Sequence, residues 1–407
     1  MKRRTLLKAA GAAAAMGLTH RLFGSSNKPA TVRWWYHFDD PKASPSGLIA
    51  EFEKANPGIS IRAQSIPWGG GSDYDTRLYT ALIANHGPDT AMVKLRNLPQ
   101  LVEMEALLPI DQYLDGWADK SDIPDAIWKL HLASDGKHYY LPLQYITTYL
   151  YLRQDWFQKE GLQIPKTFDD FLGAARALTG NDRWGFGFRG DAGGVDFWCT
   201  FVIGGGAEFK KGGLSSPAAL AANRWYIDLY RQDKVCPPSS PTDGFLQTIN
   251  NMKAGRTAMT IHHLGSANQL TLVLGDAITA VPVPSGPTGK AWSTYGDGSN
   301  AIFANCANPE AAWRWISYLS SASANVAFNQ LSGQMTVTSS GAKDWNAHPK
   351  RFVDATIQSL PSAQTLPLVE ETADFVRTIW PQTNQEELLG QAGPDDAMKI
   401  FERTFYP

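Results

Sequence analysis

Strand-like and helix-like segments alternate through the first hundred residues, and this alternation limits the fold more than any other feature of the sequence. β-Branched and aromatic residues predict strands at 31–36, 59–66 and 90–93. Apolar residues at helical spacing predict helices at 47–56 and 73–84. Strands separated by helices form parallel sheets with helices on their faces, so we predict an α/β fold.

The alternation returns in the second half of the chain, after a long apolar run at 139–152. Strands are predicted at 184–188, 257–261, 277–282 and 301–303, helices at 218–230, 244–253 and 311–319, a glycine-rich stretch at 285–298, and mainly helices over 346–405. A chain of 407 residues with 43% hydrophobic residues can bury two cores. We therefore predict two α/β lobes, with the 139–152 run crossing between them.

The N-terminus carries an export signal rather than part of the fold. A basic cluster containing Arg3-Arg4 precedes Leu6-Leu7, Lys8 and a short apolar stretch, and residues 1–26 resemble a twin-arginine signal peptide. The first cysteine is Cys199, far from the signal, so a lipid anchor is not expected. We predict a soluble protein exported to the periplasm.

Charge and motifs exclude several classes of function. The signal holds five of the 37 Lys and Arg residues, so the mature chain has 32 cations against 39 acids, which disfavours nucleic acid as a partner. Three scattered cysteines, Cys199, Cys236 and Cys306, allow at most one disulfide and no cysteine-based metal site. No nucleophile-elbow, zinc-protease or phosphate-loop motif occurs. The sequence predicts neither catalysis nor a cofactor.

Aromatic and acidic residues follow the first two predicted strands. Ligands of open α/β sheets bind outside the carboxyl ends of the strands, where Trp35, Tyr36, His37, Asp39 and Trp68 lie. A sugar ring presents apolar C–H faces and a belt of hydroxyls, so its site needs aromatic faces beside charged hydrogen-bonding groups. These residues have that composition and predict a surface that binds a flat, partly apolar ligand, although packing and solvated turns are the alternative.

Four segments resemble the type II extracellular solute-binding proteins of ABC importers, in the family that binds oligosaccharides such as maltose and trehalose. They are Leu78–Asp89, Tyr140-Leu141-Pro142 running on to Leu150–Phe157, Gly255–Ile261 and Asn308–Ile316. The resemblance implies two α/β lobes hinged about a sugar-binding cleft. It also implies that the membrane permease subunits of an ABC importer are the partner and that the protein is a monomer.

The resemblance further implies several crossings between discontinuous lobes, near 144–147, 295–299 and 335–340. On this basis lobe 1 takes residues 27–144 and 299–338, and lobe 2 takes residues 145–298 and 339–407. Tyr145, Tyr295, Gly296 and Asp297 would lie in crossings where both lobes reach the ligand, and the glycine would permit close backbone approach.

Other site residues come from matching or departing from the family pattern. Asp89 matches a carboxylate that accepts sugar hydroxyls, with a turn cap as the alternative. Lys94 and Arg96 stand where many relatives carry an aromatic residue, which indicates either a more polar, acid-tolerant pocket or a solvated loop. His262 and His263 stand where relatives carry Gly followed by Trp. Trp198 is a candidate for the cleft or for the core.

Alternative functions keep the same fold with a different ligand, or change the class of protein. A polyol, a polyamine or another small solute could take the place of the sugar. A carbohydrate-active enzyme would need two carboxylates about 5–9.5 Å apart, which the sequence does not exclude. Metal binding by the adjacent histidines is disfavoured because neighbouring side chains of a strand point to opposite faces.

Overall fold

The computed structural model describes residues 29–38, 43–68, 72–343 and 345–407. The predicted signal peptide lies outside these residues, as does Asp39. The strands of the described part are β1 (Ala30–Tyr36), β2 (Ile59–Ser65), β3 (Thr90–Val93), β4 (Tyr140–Thr147), β5 (Tyr149–Arg153), β6 (Trp184–Phe186), β7 (Thr257–His262), β8 (Ile278–Val281), β9 (Ser293–Ile302), β10 (Met335–Thr336) and β11 (Ala363–Gln364).

Helices connect these strands and cover both sheets. They are α1 (Ser46–Ala55), α2 (Ser72–Ile83), α3 (Leu98–Glu103), α4 (Asp111–Leu114), α5 (Asp125–Leu130), α6 (Gln154–Lys159), α7 (Phe168–Ala177), α8 (Val195–Trp198), α9 (Pro217–Arg231), α10 (Phe245–Lys253), α11 (Ala267–Leu274), α12 (Pro309–Leu319), α13 (Ala322–Ser332), α14 (Lys350–Ser359), α15 (Glu371–Asp374), α16 (Trp380–Leu389) and α17 (Pro394–Phe405). The predicted alternation of strand and helix over residues 31–93 is present.

Two separate sheets organise the chain. The first has the order β10-β4-β9-β3-β1-β2, with β11 paired to β9, and the second has the order β6-β7-β5-β8. In the first sheet β1 is parallel to β2 and β3, while β9 runs antiparallel to β3 and β4. In the second sheet β6 is parallel to β7, while β5 runs antiparallel to β7 and β8. The predicted α/β fold with two sheet-based lobes is confirmed.

The apolar run at 139–152 divides between the two sheets. Strand β4 ends at Thr147 in the first sheet, and β5 begins at Tyr149 in the second. Thr148 therefore stands at a crossing, where its side-chain oxygen accepts a hydrogen bond from the Thr294 N–H at 2.8 Å. The lobe boundaries given above stay a prediction.

The strand predicted at 301–303 begins earlier than expected, because β9 starts at Ser293 and includes Gly296 and Gly298 of the glycine-rich stretch. These glycines give room to the neighbouring strand. A Cβ on Gly298 would lie 2.6 Å from Cγ of Gln144, and one on Gly296 would lie 3.1 Å from Ile146. Glycine weakens a strand in general, but here the missing side chains permit β9 and β4 to pair closely.

The first sheet has a buried core on each face. Trp34 of β1 is fully buried, its indole N–H donates to Asn300 Oδ1 at 3.0 Å, and its ring meets Trp315 edge to face at 5.2 Å. Tyr74, Leu78 and other residues of α2 pack on the opposite face. Side chains therefore anchor the parallel strands from both sides, as expected for this class of sheet.

Gly185 in β6 provides a test of how closely a helix packs on the second sheet. A Cβ at this position would lie 2.0 Å from the Ala175 carbonyl oxygen of α7. We expect Gly185→Ala to lower the free energy of unfolding by about 1–3 kcal/mol, because backbone must move apart to admit the methyl group. Urea denaturation measures this effect.

A control for Gly185→Ala lies in α7, the helix that packs against β6. Gly173 of α7 has no neighbouring atom within 4 Å of an added Cβ. Gly173→Ala should raise the free energy of unfolding by about 0.5–1 kcal/mol, because alanine loses less backbone entropy in a helix. Equal stability of the two alanine variants would contradict the close approach of α7 to β6.

Candidate functional site

A cavity of about 130 Å³ lies between the two sheets. Residues that follow strands of both sheets line it: His37 after β1, Lys94 after β3, Arg189 after β6 and His263 after β7. The other lining residues are Phe38, Trp68, Leu95, Arg96, Gln144, Ile146, Gly193, Val195, Asp196, Phe245, Thr294, Tyr295, Gly296, Asp297, Ser332, Gln334, Thr365, Leu366, Leu368 and Val376. The cavity is therefore at the ends of strands where an α/β sheet binds ligands.

Trp68 is the centre of the wall that the first sheet contributes. The His37 ring lies 4.6 Å from the Trp68 ring, and the Tyr74 ring lies 5.9 Å from it. The Lys94 ammonium lies 4.9 Å from the centre of the same ring, and the Arg96 guanidinium lies 5.2 Å from it. The indole therefore holds two cations at the cavity by cation–π attraction.

The wall from the second sheet combines a buried arginine with an aromatic ring. The Arg189 guanidinium lies 5.1 Å from the centre of the Phe245 ring, and its Nε donates to the Ala192 carbonyl oxygen at 2.9 Å. The His263 ring lies 5.6 Å from the same phenyl ring, and its Nδ1 accepts a hydrogen bond from the Gly265 N–H at 3.1 Å. This wall presents hydrogen-bond donors above an apolar surface.

Burial and positive charge keep the two cavity histidines neutral. The pKa of His37 is well below its ordinary value, first because of burial and then because of the charges of Lys94 and Arg96. Burial, followed by the charges of Lys94 and Arg189, lowers the pKa of His263 to about 3. At neutral pH each imidazole can therefore donate one hydrogen bond and accept another without adding charge.

Asp297 connects the cavity to the first sheet. Its carboxylate accepts hydrogen bonds from the Leu95 N–H at 2.7 Å and the Ser299 hydroxyl at 2.7 Å, and it lies 3.5 Å from His131 Nε2. The Lys94 ammonium donates to the Asp297 carbonyl oxygen at 2.7 Å. The side chain is only 2% exposed, so its oxygens serve the protein's own donors.

The cavity brings together eight residues that the sequence singled out. They are His37, Trp68, Lys94, Arg96, His263, Tyr295, Gly296 and Asp297. Most of them follow strand ends or lie in β9, which crosses toward the second sheet. Asp39, named with them, lies outside the described residues. Their part in ligand binding stays a prediction.

Three other singled-out residues of the first sheet lie away from the cavity lining. Both oxygens of Asp89 accept from the Arg33 side chain, each at 3.2 Å, and Asp89 precedes β3, about 16 Å along the strand from Lys94. Tyr36 stacks on Trp34 at 4.8 Å. Trp35 packs with the α2 core, on the opposite face from its neighbours in β1.

The remaining singled-out residues also lie outside the lining. Trp198 is fully buried in the core of the second lobe, where its indole N–H donates to Asn223 Oδ1 at 3.0 Å. His262 is buried behind Phe245, with its Nδ1 2.8 Å from the Ser266 hydroxyl. Tyr145 lies behind the cavity, parallel to the Tyr295 ring at 6.4 Å. Aromatic composition alone did not indicate which face each ring occupies.

Sequence reasoning missed Arg189, Phe245, Gln334 and the segment Thr365–Leu368. Arg189 follows the predicted strand at 184–188, so the strand-end rule that selected His37 could have selected it too. Phe245 begins a helix, and the other residues enter the cavity from distant parts of the chain. No local pattern marks those positions.

Other kinds of site were searched for in the described residues. Among them, no group of three or more His, Cys, Asp or Glu side chains could hold a metal ion. In the same part of the chain, no helix has both the length and the apolar character needed to cross a membrane. Cys199, Cys236 and Cys306 are all buried and unpaired.

Comparisons with known sequences agree with the architecture. A model of the family described as bacterial extracellular solute-binding protein matches residues 38–326. A protein of Brucella abortus (strain 2308), described as a binding protein, is 28% identical over 361 residues, which cover 86% of this chain and 85% of the relative. The similarity therefore extends over most of both chains.

Two solved structures share the fold closely. An ABC transporter solute-binding protein of Thermotoga lettingae, bound to α-D-tagatose, has a TM-score of 0.80 at 24% identity and covers 92% of this chain and 98% of its own. One from Agrobacterium radiobacter, in complex with ribitol, has a TM-score of 0.80 at 20% identity, over 93% of this chain and 98% of its own. The fold is thus the predicted type II periplasmic binding-protein fold.

Proposed function

The chain belongs to the family of bacterial extracellular solute-binding proteins, and from this premise we propose that it binds a small saccharide between its lobes and delivers it to an ABC importer. The observation that carries the proposal is the cavity between the two sheets. Its walls place Trp68 and Phe245 beside the cations and neutral imidazoles described above. Such a surface complements both the C–H faces and the hydroxyls of a sugar.

The size of the cavity favours a short ligand. Its volume of about 130 Å³ is close to that of a cavity of about 150 Å³ that holds benzene in an engineered protein. One six-membered ring therefore fits the closed site. The neighbours bound to tagatose and to ribitol hold ligands of this size, and the second supports a polyol as the alternative ligand.

Contacts between the lobes support a hinged mechanism. The Arg377 guanidinium, beyond α15, lies 5.3 Å from the centre of the Tyr79 ring in α2. Leu366 packs in the core of the second lobe, whereas Leu368 packs against the core beneath α2. We infer that these contacts belong to the closed state, in which a ligand touches both lobes and shifts the population away from the open state.

Export and delivery complete the proposal. The twin-arginine-like segment at 1–26 would export the chain to the periplasm without a lipid anchor. Closure would then create the surface that the permease subunits recognise, with the protein acting as a monomer. No step requires catalysis, since the protein releases the same solute that it captures.

A panel of monosaccharides, disaccharides and polyols tests this function by thermal shift and solution scattering. We expect at least one saccharide to stabilise the protein by about 2.7 kcal/mol at 100 times its Kd. The same ligand should reduce the radius of gyration, because closure brings the lobes together. Reducing-end assays should show that no glycosidic bond is cleaved.

Two adjacent residues of α10 provide matched variants for the panel. Phe245 lines the cavity, whereas Leu246 is exposed. Phe245→Ala should weaken binding at least about tenfold, through loss of apolar contact and of support for Arg189 and His263. Leu246→Ala should leave the affinity unchanged. A protein that neither binds a saccharide nor changes shape with any member of the panel would disprove the proposed function.

A further inference from the structure

The cavity concentrates positive charge in a chain that is mildly acidic as a whole. Lys94 and Arg96 enter it from the first lobe, and Arg189 enters from the second. Their charges act on the neutral groups nearby: after burial, Lys94 and Arg96 lower the pKa of His37, and Lys94 and Arg189 lower the pKa of His263. Arg96 pairs with Asp75 at 3.1 Å, and the charge of Lys94 acts on the Asp297 carboxylate, so Arg189 is the cavity cation with which a bound anion could pair.

In the described part of the chain, neither of the two carboxylates in the cavity lining forms an ion pair with Arg189 within 4 Å. Asp297 is occupied by the Leu95 N–H and the Ser299 hydroxyl. Asp196 forms no ion pair within 4 Å among the described residues, and burial raises its pKa despite the charges of Arg189 and Arg96.

Arg189 uses only its Nε for a hydrogen bond to the described residues. It is only 5% exposed, and its Nε donates to Ala192, but its two terminal nitrogens have no hydrogen-bond acceptor among the described residues. Burial, only partly offset by Asp196 and Asp191, lowers its pKa to about 10. Burying a cation in this way costs free energy that a bound anion would recover.

The local backbone leaves space beside this guanidinium. Gly193 also lines the cavity and has a φ of +77°, and a Cβ there would lie 1.9 Å from Arg189 Nη2. Any other residue would therefore displace the guanidinium or block its edge. Glycine leaves Arg189 in contact with the cavity, where its fork of donors can bind a carboxylate with two parallel hydrogen bonds.

Resting on the function proposed above, we propose that the preferred ligand is an acidic saccharide, a hexuronate or a short uronate-containing oligosaccharide, whose carboxylate binds Arg189. The inference names the ligand class of the same cavity. A uronate differs from its neutral parent sugar only by a carboxylate in place of a hydroxymethyl group, so each pair of sugars isolates the charge.

Calorimetric titration with such pairs tests the assignment: D-galacturonate against D-galactose, D-glucuronate against D-glucose, and digalacturonate against neutral disaccharides. We expect one uronate to bind at least about tenfold more tightly than its neutral parent. Arg189→Gln should abolish that preference, because it should weaken binding of the uronate at least about tenfold more than binding of the neutral parent sugar. Arg189→Lys should retain part of it, since it keeps the charge without the fork.

Controls separate charge recognition from misfolding. Arg314→Gln removes an exposed arginine on α12 that pairs with Glu310, and it should leave both affinities unchanged. Circular dichroism establishes that Arg189→Gln is folded. If it is not, Arg189→Lys provides the test, because it keeps the charge in the cavity and should bind the uronate less tightly than wild type does.

The outcomes distinguish this inference from the function on which it rests. Neutral sugars that bind as tightly as their uronates would overturn the acidic ligand and leave sugar binding intact. A sugar phosphate that binds more tightly than every uronate would overturn the assignment of a carboxylate. Failure of all carbohydrates to bind would overturn the proposed function as well.

Discussion

Asp297→Ala should lower the free energy of unfolding by about 3–5 kcal/mol, the usual cost of removing one partner from a buried charged network. The carboxylate accepts from the Leu95 N–H and the Ser299 hydroxyl, and it faces His131 at 3.5 Å. Alanine would leave these groups without an acceptor in a place that water does not reach. Urea denaturation at pH 7, followed by tryptophan fluorescence, measures the loss.

The stability that the Asp297 carboxylate contributes should be lost at low pH. Burial alone would raise its pKa, but the hydrogen bond and charge of His131 together with the charge of Lys94 outweigh burial and lower it below 3.8. An acid with a lowered folded-state pKa stabilises the protein above its unfolded pKa, and the stabilisation is lost as pH falls through the folded pKa. The difference between Asp297→Ala and wild type should therefore shrink below about pH 4.

Asp276 provides the control for this variant. It pairs with Arg351 at 3.3 Å, but its side chain is 96% exposed. Asp276→Ala should change the stability by less than about 0.5 kcal/mol, because water and salt screen an exposed pair. A loss for Asp297→Ala that is as small as this, or that is the same at pH 3 and pH 7, would contradict the network.

Glu387→Gln should stabilise the protein at neutral pH. Glu387 of α16 is fully buried, and burial raises its pKa well above 4.5 despite the hydrogen bond from Asn223 and the charge of Arg231. An acid of this kind contributes full stability below its unfolded pKa, and stability falls as pH rises toward the folded pKa. Between the unfolded and the folded pKa, each rise of one pH unit lowers the free energy of unfolding by about 1.4 kcal/mol.

Glutamine keeps the shape of this side chain without its titration. The Asn223 Nδ2 donates to Glu387 Oε1 at 2.7 Å, and the amide oxygen of glutamine can accept the same bond. We expect Glu387→Gln to match wild type near pH 4.5 and to become more stable than wild type as pH rises toward 7.5. Urea denaturation at pH 4.5, 6 and 7.5 follows the gain.

The neighbouring Glu386 provides a matched control, because it lies on the exposed side of the same helix. Glu386→Gln should show no comparable dependence on pH. If Glu387→Gln is less stable than wild type at pH 7.5, then the charged form of Glu387 contributes to the fold, and the cause assigned to its raised pKa is wrong.

The sequence predicted those cavity-lining residues that directly follow a strand. His37, Lys94 and His263 each follow a strand, and these strands were visible as apolar and β-branched runs. Because the carboxyl ends of parallel strands lie at the same edge of a sheet, the residues that follow such strands come together there. Asp89, which was selected from the family resemblance, precedes its strand and binds Arg33 instead.

The sequence by itself determined the α/β class, the alternation of strands and helices and a crossing within residues 139–152, because local periodicity and turn residues act over a few positions. Only the tertiary structure decided that Trp198 packs in a core while Arg189 faces a cavity, and that Gln334 and Leu366 reach that cavity. Which side of an element meets solvent, ligand or core depends on segments that are distant in the chain, and no local pattern carries that information.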